Sequence, residues 1–590
     1  MPNDPPVASL REFLDLLRRR GELVEVRAEV DPRLEIAEIH RRVIAAGGPA
    51  LLFSRPRGSA FPVATNLFGT VERVHASFGS RPRRFVERVV EAAHALVPPT
   101  PGKLWGFRDL ALQGLRVGMR SYGSGPVTEV EEAPRLDTLP ALTSWKSDGG
   151  PFFTLPLVYT ESPSSGKGNL GMYRMQIHSP SETGMHCQIH KGGGFHLHEA
   201  EARGEDLPCT VFVGGPPALI LSAIAPLPED VPEMLLASLL LGRRLERVVG
   251  LGPHPIPAQA EFAFVGRILA GERRPEGPFG DHYGYNSLVH DYPVFRVDKV
   301  LRRRDAIWPA TVVGRPRQED FYIGDFLQDL LSPLFPLVMP SVRQLWSYGE
   351  TGFHSLAAAV VKDRYPREAI SSGFRILGEG QLSLQKFVFL TDRDVDLTDF
   401  RALLETLLAR VDWRRDLIVV SETAQDTLDY TGPQVNHGSK GMLLGLGDPI
   451  RELPRRWDED AALPEGVAGA RAYCAGCLVV QGRPYADEPE QARRVARADA
   501  FREWPLVVLV DDLAEATASD ELFLWTTFTR MEPAAHIHGR EERVARFHVG
   551  LEPPVVFDCR MKPWYPEVME VDDETRDLVD RRWDEYGIRL

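Results

Sequence analysis

The segment 275–281 reads Pro-Glu-Gly-Pro-Phe-Gly-Asp and places two carboxylates, Glu276 and Asp281, among residues that disfavour helix and central strand. Pro278 fixes its own φ and biases Gly277 away from helix, while Gly277, Gly280 and Gly284 admit backbone angles closed to other residues. Ordering such a stretch costs conformational entropy, and placing side chains is the usual reason to bear it. A second such segment lies earlier, Asn169-Leu-Gly-Met-Tyr-Arg174. Arg174 stands among Met172, Met175 and Ile177, a pattern that buries it, and a buried guanidinium must be paired. Carboxylates are its natural partners, since the planar fork can hold one bidentately. If Glu276 is that partner it orients the arginine, and Asp281 is left as the more freely titrating acid, able to deliver a proton. Taken singly, an acidic turn and a structural ion pair are the plainer readings. Together the segments point to catalysis.

Asn169, His190 and Glu233 form a second set, each beside a glycine- or proline-marked break. An amide oxygen, an imidazole and a carboxylate suit Mn²⁺ or Mg²⁺ better than zinc or copper. His196-x-His198 with Glu199, and His536-x-His538, are rivals, read as strand pairs sharing one face. Cys474 and Cys477 make a Cys-x-x-Cys without a second pair, which reads more simply as two small half-buried residues. The segment 436–441, Asn-His-Gly-Ser-Lys-Gly, reads as a loop able to cradle a phosphate, with Lys440 as point charge. It lacks the Walker spacing, and no Gly-x-Gly-x-x-Gly follows a strand pattern.

The bulk properties exclude several classes. A chain of 590 residues exceeds one core. Its net charge of −14 argues against nucleic acid as a partner. No apolar run approaches the roughly 18–20 residues of a membrane span. The start, Met-Pro-Asn-Asp-Pro-Pro, has no secretory pattern, and five cysteines fit a reducing compartment, so a cytoplasmic setting is expected.

The positioning elements follow from periodicity. Ser9 and Glu12 read as a capping box, with Gly21 closing the first helix. A strand over 24–30, a helix over 34–46 and a strand over 50–53 make a small α/β unit, followed by a helix over 82–97. From about 115 to 310 strand signals dominate: 157–159, 172–177, 185–189, 210–213, 218–223, 261–268 and 294–301, with one helix over 232–241. Such short strands between turns imply a barrel or strongly bent sheet. Beyond 320 the βα alternation returns, with strands over 386–390 and 416–421 around a helix over 397–410. The runs 387–392 and 506–512 each end in aspartate before a helical stretch, which suggests an internal repeat. An amphipathic helix is expected over 572–587.

In family order, the motifs Asn-x-Gly-x-Tyr-Arg (169–174), His-Lys-Gly-Gly (190–193), Pro-Glu-Gly-Pro-Phe-Gly-Asp (275–281), Gly-Arg-Pro (314–316) and Gly-Ser-Lys (438–440) resemble the UbiD family of prenylated-FMN-dependent, reversible decarboxylases. The resemblance covers about 1–450, and the stretch from Trp525 through Arg530 to Pro533 is similar too. It implies an α+β, mixed architecture: an N-terminal α/β domain (1–115), a split β-barrel holding the flavin (116–315), and a C-terminal α/β oligomerisation domain (316–590) with an expanded 450–545 region. It implies that Arg174, Glu276 and Asp281 are catalytic, and that Asn169, His190 and Glu233 hold Mn²⁺ bridging to the cofactor phosphate. Met172, Arg174, Gln188 and Lys440 join them around the cofactor, K⁺ lies near the carbonyls of 222–225, and Ile323 and His437 line the substrate pocket.

The implied reaction is non-oxidative decarboxylation of an aromatic or α,β-unsaturated carboxylic acid, with release of CO₂, through a covalent cofactor–substrate adduct. It makes the chain a homodimer, or a multiple of one, dependent on a flavin prenyltransferase. Excluding water from the pocket is expected to raise the pKa of Asp281 toward the working pH. Asp281 stands where some members carry glutamate, one methylene longer. A silent oligomeric scaffold and an ordinary FMN oxidoreductase are the alternatives. Retention of Arg174, Glu276 and Asp281 together tells against the first, and the flavin's absorbance and mass separate the second.

Overall fold

The first helix, Leu10–Arg20, begins where the Ser9 hydroxyl accepts the Glu12 amide at 3.1 Å, and it ends at Gly21 with φ of 72°. Strand Leu23–Val30 then pairs in parallel with Ala50–Pro56 across the helix Glu35–Ala45. The computed structural model describes residues 6–187, 192–225, 227, 231–315 and 317–590. Its packing resolves two units, Met1–Leu330 with Glu567–Leu590, and Leu331–Pro566. The last helix, Asp573–Arg582, thus belongs with the first unit, not the C-terminal domain in which the sequence placed it. It packs on Glu35–Ala45 through Arg42–Asp580, and its Arg582 pairs with Glu35. Among the described residues no helix is long and apolar enough to cross a membrane.

One sheet of the first unit runs in the order 152–153, 175–179, 182–184, 290–302, 262–276, 207–213, 156–161, 168–172. Strands Gly168–Met172 and Met175–Ser179 lie six strand spacings apart in that order, yet only Tyr173 and Arg174 separate them in sequence. Flat, they would be roughly 29 Å apart at about 4.8 Å per strand. A link of three Cα–Cα steps reaches about 11 Å. The sheet must therefore curl until its far strands meet, and Arg174 sits at the seam. Phe153, Phe262, Phe264 and Trp308 pack ring against ring in the core of this unit.

Several expected strands differ. Residues 218–223 lie in the helix Pro217–Ile224, where Pro217 at the first turn suits a helix start and an all-apolar run carries no period to decide the issue. The expected strand at 172–177 breaks at the seam. Residues 185–187 follow the short strand Glu182–Gly184 without continuing it. The 436–441 segment is chiefly the start of strand His437–Gly445, not a loop.

The second unit contains the repeat, larger than the two runs that suggested it. Strands 342–347, 356–361, 387–391, 437–445 and 417–424 form one sheet in that spatial order; 469–474, 477–481, 506–510, 555–558 and 537–539 form another. Strand directions match pair for pair: antiparallel, parallel, parallel, antiparallel. Alternation then sorts the side chains. Phe387 and Phe389 of one module and Val508 and Phe557 of the other enter a shared core, while Val388 and Leu390, and Val507 and Leu509, face separate outer cores. Phe528 lies 5.7 Å from Phe389 and 6.4 Å from Phe387, ring centre to centre. Phe528→Ala should cost about 3–5 kcal/mol. Hydrogen exchange should show the loss in both modules; protection lost in the second module alone would contradict a shared core.

Candidate active site

At the seam the Arg174 guanidinium spends each nitrogen on a different partner. Nε donates to Glu276 Oε1 at 2.9 Å, Nη1 pairs with Asp281 Oδ2, and Nη2 donates to Ser287 Oγ at 3.3 Å. Its plane lies 4.5 Å from the centre of the Phe279 ring. Glu276 ends the long strand Phe262–Glu276 with a fully buried carboxylate, and His186 Nδ1 lies 3.2 Å from the same Oε1. Its other oxygen, Oε2, is buried with no hydrogen-bond partner among the described residues.

The turn between the two acids is fixed from several sides. Gly277 has φ of 100°, closed to most side chains, and a Cβ on Gly280 would lie 2.1 Å from Trp145. The Gly277 amide donates to Gln176 Oε1 at 2.8 Å, and that of Gly280 donates to Asp148 Oδ1 at 2.9 Å. The second Asp148 oxygen accepts the Ser144 and Trp145 amides. The turn therefore places Glu276 and Asp281 on one guanidinium.

Electrostatics corrects one expectation. Burial pushes the Asp281 carboxyl up, but Arg174 and then His282, whose Nδ1 lies 2.5 Å from Oδ1, outweigh it and hold the group well below the carboxylate range. Asp281 is thus ionised here rather than freely titrating near neutrality. Glu276 follows the same balance: burial raises it, and Arg174 with His186 lowers it further. Two other acids go the opposite way. Burial pushes Asp148 up to about 6 despite its three amides, and pushes Asp320 up to about 6. Asp320 lies close enough to His282 and Asp281 to feel both charges, and its Oδ1 is buried without a hydrogen-bond partner among the described residues.

Of the expected metal ligands, Asn169 and Glu233 are brought to one strand end. Glu233, first residue of helix Glu233–Leu241, accepts the Leu170 amide at 3.0 Å, and burial raises its pKa. Asn169 donates to the Tyr173 hydroxyl at 3.3 Å, and its Oδ1 would lie 2.1 Å from a Cβ on Gly192, so only glycine fits there. An amide oxygen beside a glycine wall, and a carboxylate on the amide of the next residue, are donor types that fit a hard divalent cation. His190 and Gln188 lie outside the described residues. Met172 ends the same strand, half-buried.

The rival histidines change character. His196 and His198 sit in helix Gly192–Ala202, where residues two apart diverge, and His196 Nδ1 lies 2.9 Å from Thr160 Oγ1. His536 is helical and His538 is on a strand, so neither pair shares a strand face. Cys474 and Cys477 flank a two-residue hairpin turn as free, buried thiols. Ile323 is buried in helix Glu319–Leu331 of the first unit. In the second unit, His437 Nε2 lies 2.8 Å from Glu422, and Lys440 Nζ donates to the carbonyls of Ser383 and Gln385 at 2.6 and 2.8 Å. Burial pushes Lys440 down to about 8.

Sequence reasoning missed His186, Ser287, Asp148 and Asp320. The Asp148-Gly-Gly triplet carried the same glycine signal as the acidic turn; Asp320 carried none.

A buried guanidinium between two carboxylates, at the closing edge of a curled sheet, defines a site built to handle an anion and a proton. Three family profiles match the chain: the N-terminal domain of 3-octaprenyl-4-hydroxybenzoate carboxy-lyase over 14–93, its Rift-related domain over 120–316, and its C-terminal domain over 321–444. The chain belongs to the UbiD carboxy-lyase family and is a decarboxylase-type enzyme. A Chlamydia trachomatis protein is 51% identical over 583 residues, 98% of this chain and 99% of that one. A Chlamydia pneumoniae relative, named as a subunit of 4-hydroxybenzoate decarboxylase, is 50% identical over 582 residues, 98% of either chain. The UbiD-class enzyme HmfF from Pelotomaculum thermopropionicum, solved with FMN, has a TM-score of 0.61 at 26% identity, covering 77% of this chain and 97% of its own. Vanillic acid decarboxylase of Sedimentibacter hydroxybenzoicus shares the fold, with a TM-score of 0.67 at 22% identity over 78% of this chain and 97% of its own.

Arg174→Met strands two buried carboxylates, a loss of about 3–5 kcal/mol. Both acids have folded pKa values below their unfolded ones, so the stability Arg174 confers is present above about pH 4 and lost as pH falls through the lowered values. Thermal unfolding should show the largest deficit at neutral pH, shrinking toward acid; a deficit that grows on acidification would contradict the pairing.

Proposed function

We propose that the enzyme is a reversible, non-oxidative decarboxylase of an aromatic or α,β-unsaturated carboxylic acid that works with prenylated FMN. The observation carrying this reading is Arg174, buried and shared between Glu276 and Asp281. Loss of CO₂ from an sp² carbon leaves an electron pair in the ring plane, which side chains alone do not stabilise. Prenylated FMN, when bound, supplies the electrophile that accepts it. The solved relative HmfF, with FMN and, in an evolved dimeric form, with prFMN, supports the cofactor class, and the name of the Chlamydia pneumoniae relative supports the substrate class.

In this reading Asn169 and Glu233, with His190, would hold Mn²⁺, which would supply positive charge for the cofactor's phosphate. The carbonyls of 222–225, at the open end of helix Pro217–Ile224, suit K⁺, since the last carbonyls of a helix lack partners within it. Met172, Gln188 and Lys440 contact the cofactor, and Ile323 and His437 contact the substrate. Arg174 clamps the substrate carboxylate through the Nη edge now turned to Asp281, while Nε stays on Glu276. A second carboxylate there takes the guanidinium from Asp281 and adds like charge beside it, and both effects raise its pKa. Asp281 then carries the proton it later gives to carbon.

Glu276→Gln keeps the shape but removes the charge orienting Arg174; decarboxylation should fall by orders of magnitude with flavin still bound. Asp281→Asn should stop turnover and the exchange of product C–H with D₂O. Undiminished exchange would remove its role as acid, and full activity in both variants would sink the reading.

The cofactor is tested apart from turnover. Protein co-expressed with a flavin prenyltransferase should carry prenylated FMN by mass spectrometry, with Mn²⁺ and K⁺ by elemental analysis. Asn169→Ala should lose metal and most flavin together. Full occupancy by unmodified FMN after such co-expression would count against the assignment.

A further inference from the structure

The two modules of the second unit do more than share a topology: in each, the helix meets the other's hairpin turn and the segment after it meets a strand of the other. In the first module the helix Phe400–Leu408 places Glu405 Oε1 2.9 Å from the Ala475 amide, in the hairpin turn of the second. In return, helix Asp520–Thr529 packs on the hairpin turn Gly349–Thr351 of the first. The segment after each helix then reaches the other module near its last sheet strand: residues 413–414 meet the hairpin strand His548–Leu551 just ahead of 555–558, and Glu532 meets the start of His437–Gly445. The Trp413 carbonyl accepts the Leu551 amide at 3.1 Å, and Arg414 O lies 3.0 Å from His548 Nε2. Reciprocally, Ser439 Oγ donates to Glu532 Oε1 at 2.8 Å and accepts the Ala534 amide at 2.9 Å. Such exchange of like contacts is the pattern of an isologous pair, here within one chain.

The copies have diverged at the contact that matters. Counting from the helix N-caps, Asp399 and Ser519, Asp412 and Glu532 occupy the same position. By strand register Phe387 faces Gly441 as Leu506 faces Val555, so Ser439 and Lys440 correspond to Pro553 and Pro554. The first copy keeps the serine and lysine, and its Asp412 carboxylate turns back to Arg414 and Arg415 of its own segment. The second copy has lost the serine and lysine, and its Glu532 reaches across. Ser439, Lys440 and Glu532 are all buried.

We propose that residues 469–558 are a cofactor-silent copy of the module 342–445 that serves as the chain's own permanent partner, and that its Glu532 is a positioning residue for the Ser439–Lys440 strand end. A charged acceptor on a buried hydroxyl fixes that strand start. The neighbouring Lys440, whose Nζ is held by the carbonyls of Ser383 and Gln385, stands on that same backbone, so the inference rests on the reading of Lys440 as a cofactor contact given above.

The test uses the full chain with FMN as the probe. The parent and Asp412→Ala, the control at the matching position, should each bind one FMN per chain. Glu532→Ala should weaken FMN about tenfold or more, whereas Glu532→Gln, whose amide oxygen still accepts from Ser439, should stay within about threefold. Ser439→Ala should match Glu532→Ala, and the double variant should add nothing, because both remove one bond. Hydrogen exchange at 438–441 should rise in Glu532→Ala and not in Asp412→Ala. Parent-like binding and exchange in Glu532→Ala, additive losses, or two FMN per chain would each overturn the proposal. A parent that binds no flavin would fail the cofactor reading, while exchange would still decide the positioning role.

Discussion

The structure turns on one constraint: a guanidinium in the interior must find negative charge. Arg174 occupies a two-residue link between strands at opposite ends of a curled sheet, and the acids that neutralise it come from a single rigid turn. Closing the sheet delivers Arg174 to the turn, and the turn gives the sheet a reason to close there. Neither is stable alone. An open sheet would leave the arginine unpaired, and the turn without it would hold two buried anions, each penalty being several kcal/mol. The glycines of the turn serve the same end, for side chains at Gly277 or Gly280 would push the acids off the fork.

This coupling explains what was legible in the chain. The acidic turn and the arginine segment stood out because rigidity, unusual composition and a buried charge are all sequence properties. The first helix was legible for the same reason, since Ser9 and Gly21 act locally. The titration of Asp281 was not legible. It depends on His282 and Arg174 lying against both oxygens, and burial alone would have given the opposite sign. The helix Pro217–Ile224 was misread as strand because its apolar residues run without a period, and tertiary packing, not pattern, decides such stretches. Asp320 was invisible because a single acid in a helix says nothing about what surrounds it.

The repeat was half legible, and the reason is physical. A module of this kind is held by alternating strands and one helix face, and many apolar sequences satisfy that demand. What persists in sequence is the apolar strand ending in aspartate, as at 387–392 and 506–512. What diverges is everything the shared core tolerates, while the register between strands keeps the correspondence exposed in the fold.

The charge count at the seam bears on how such a site works. Arg174 carries one positive charge against two carboxylates, with His186 held neutral by burial and by the arginine. The Nε edge and His186 share one Glu276 oxygen, so that acid is held from two sides. Asp281 depends on Nη1, the group an incoming carboxylate would also seek. Admitting a third carboxylate raises the local negative charge in a medium that screens it poorly. Of the two acids Asp281 is the one that shares Nη1 with the newcomer, so its pKa rises most, with His282 on its other oxygen still lowering it. An anion bound at this edge therefore raises the pKa of Asp281, and without one the acid stays ionised.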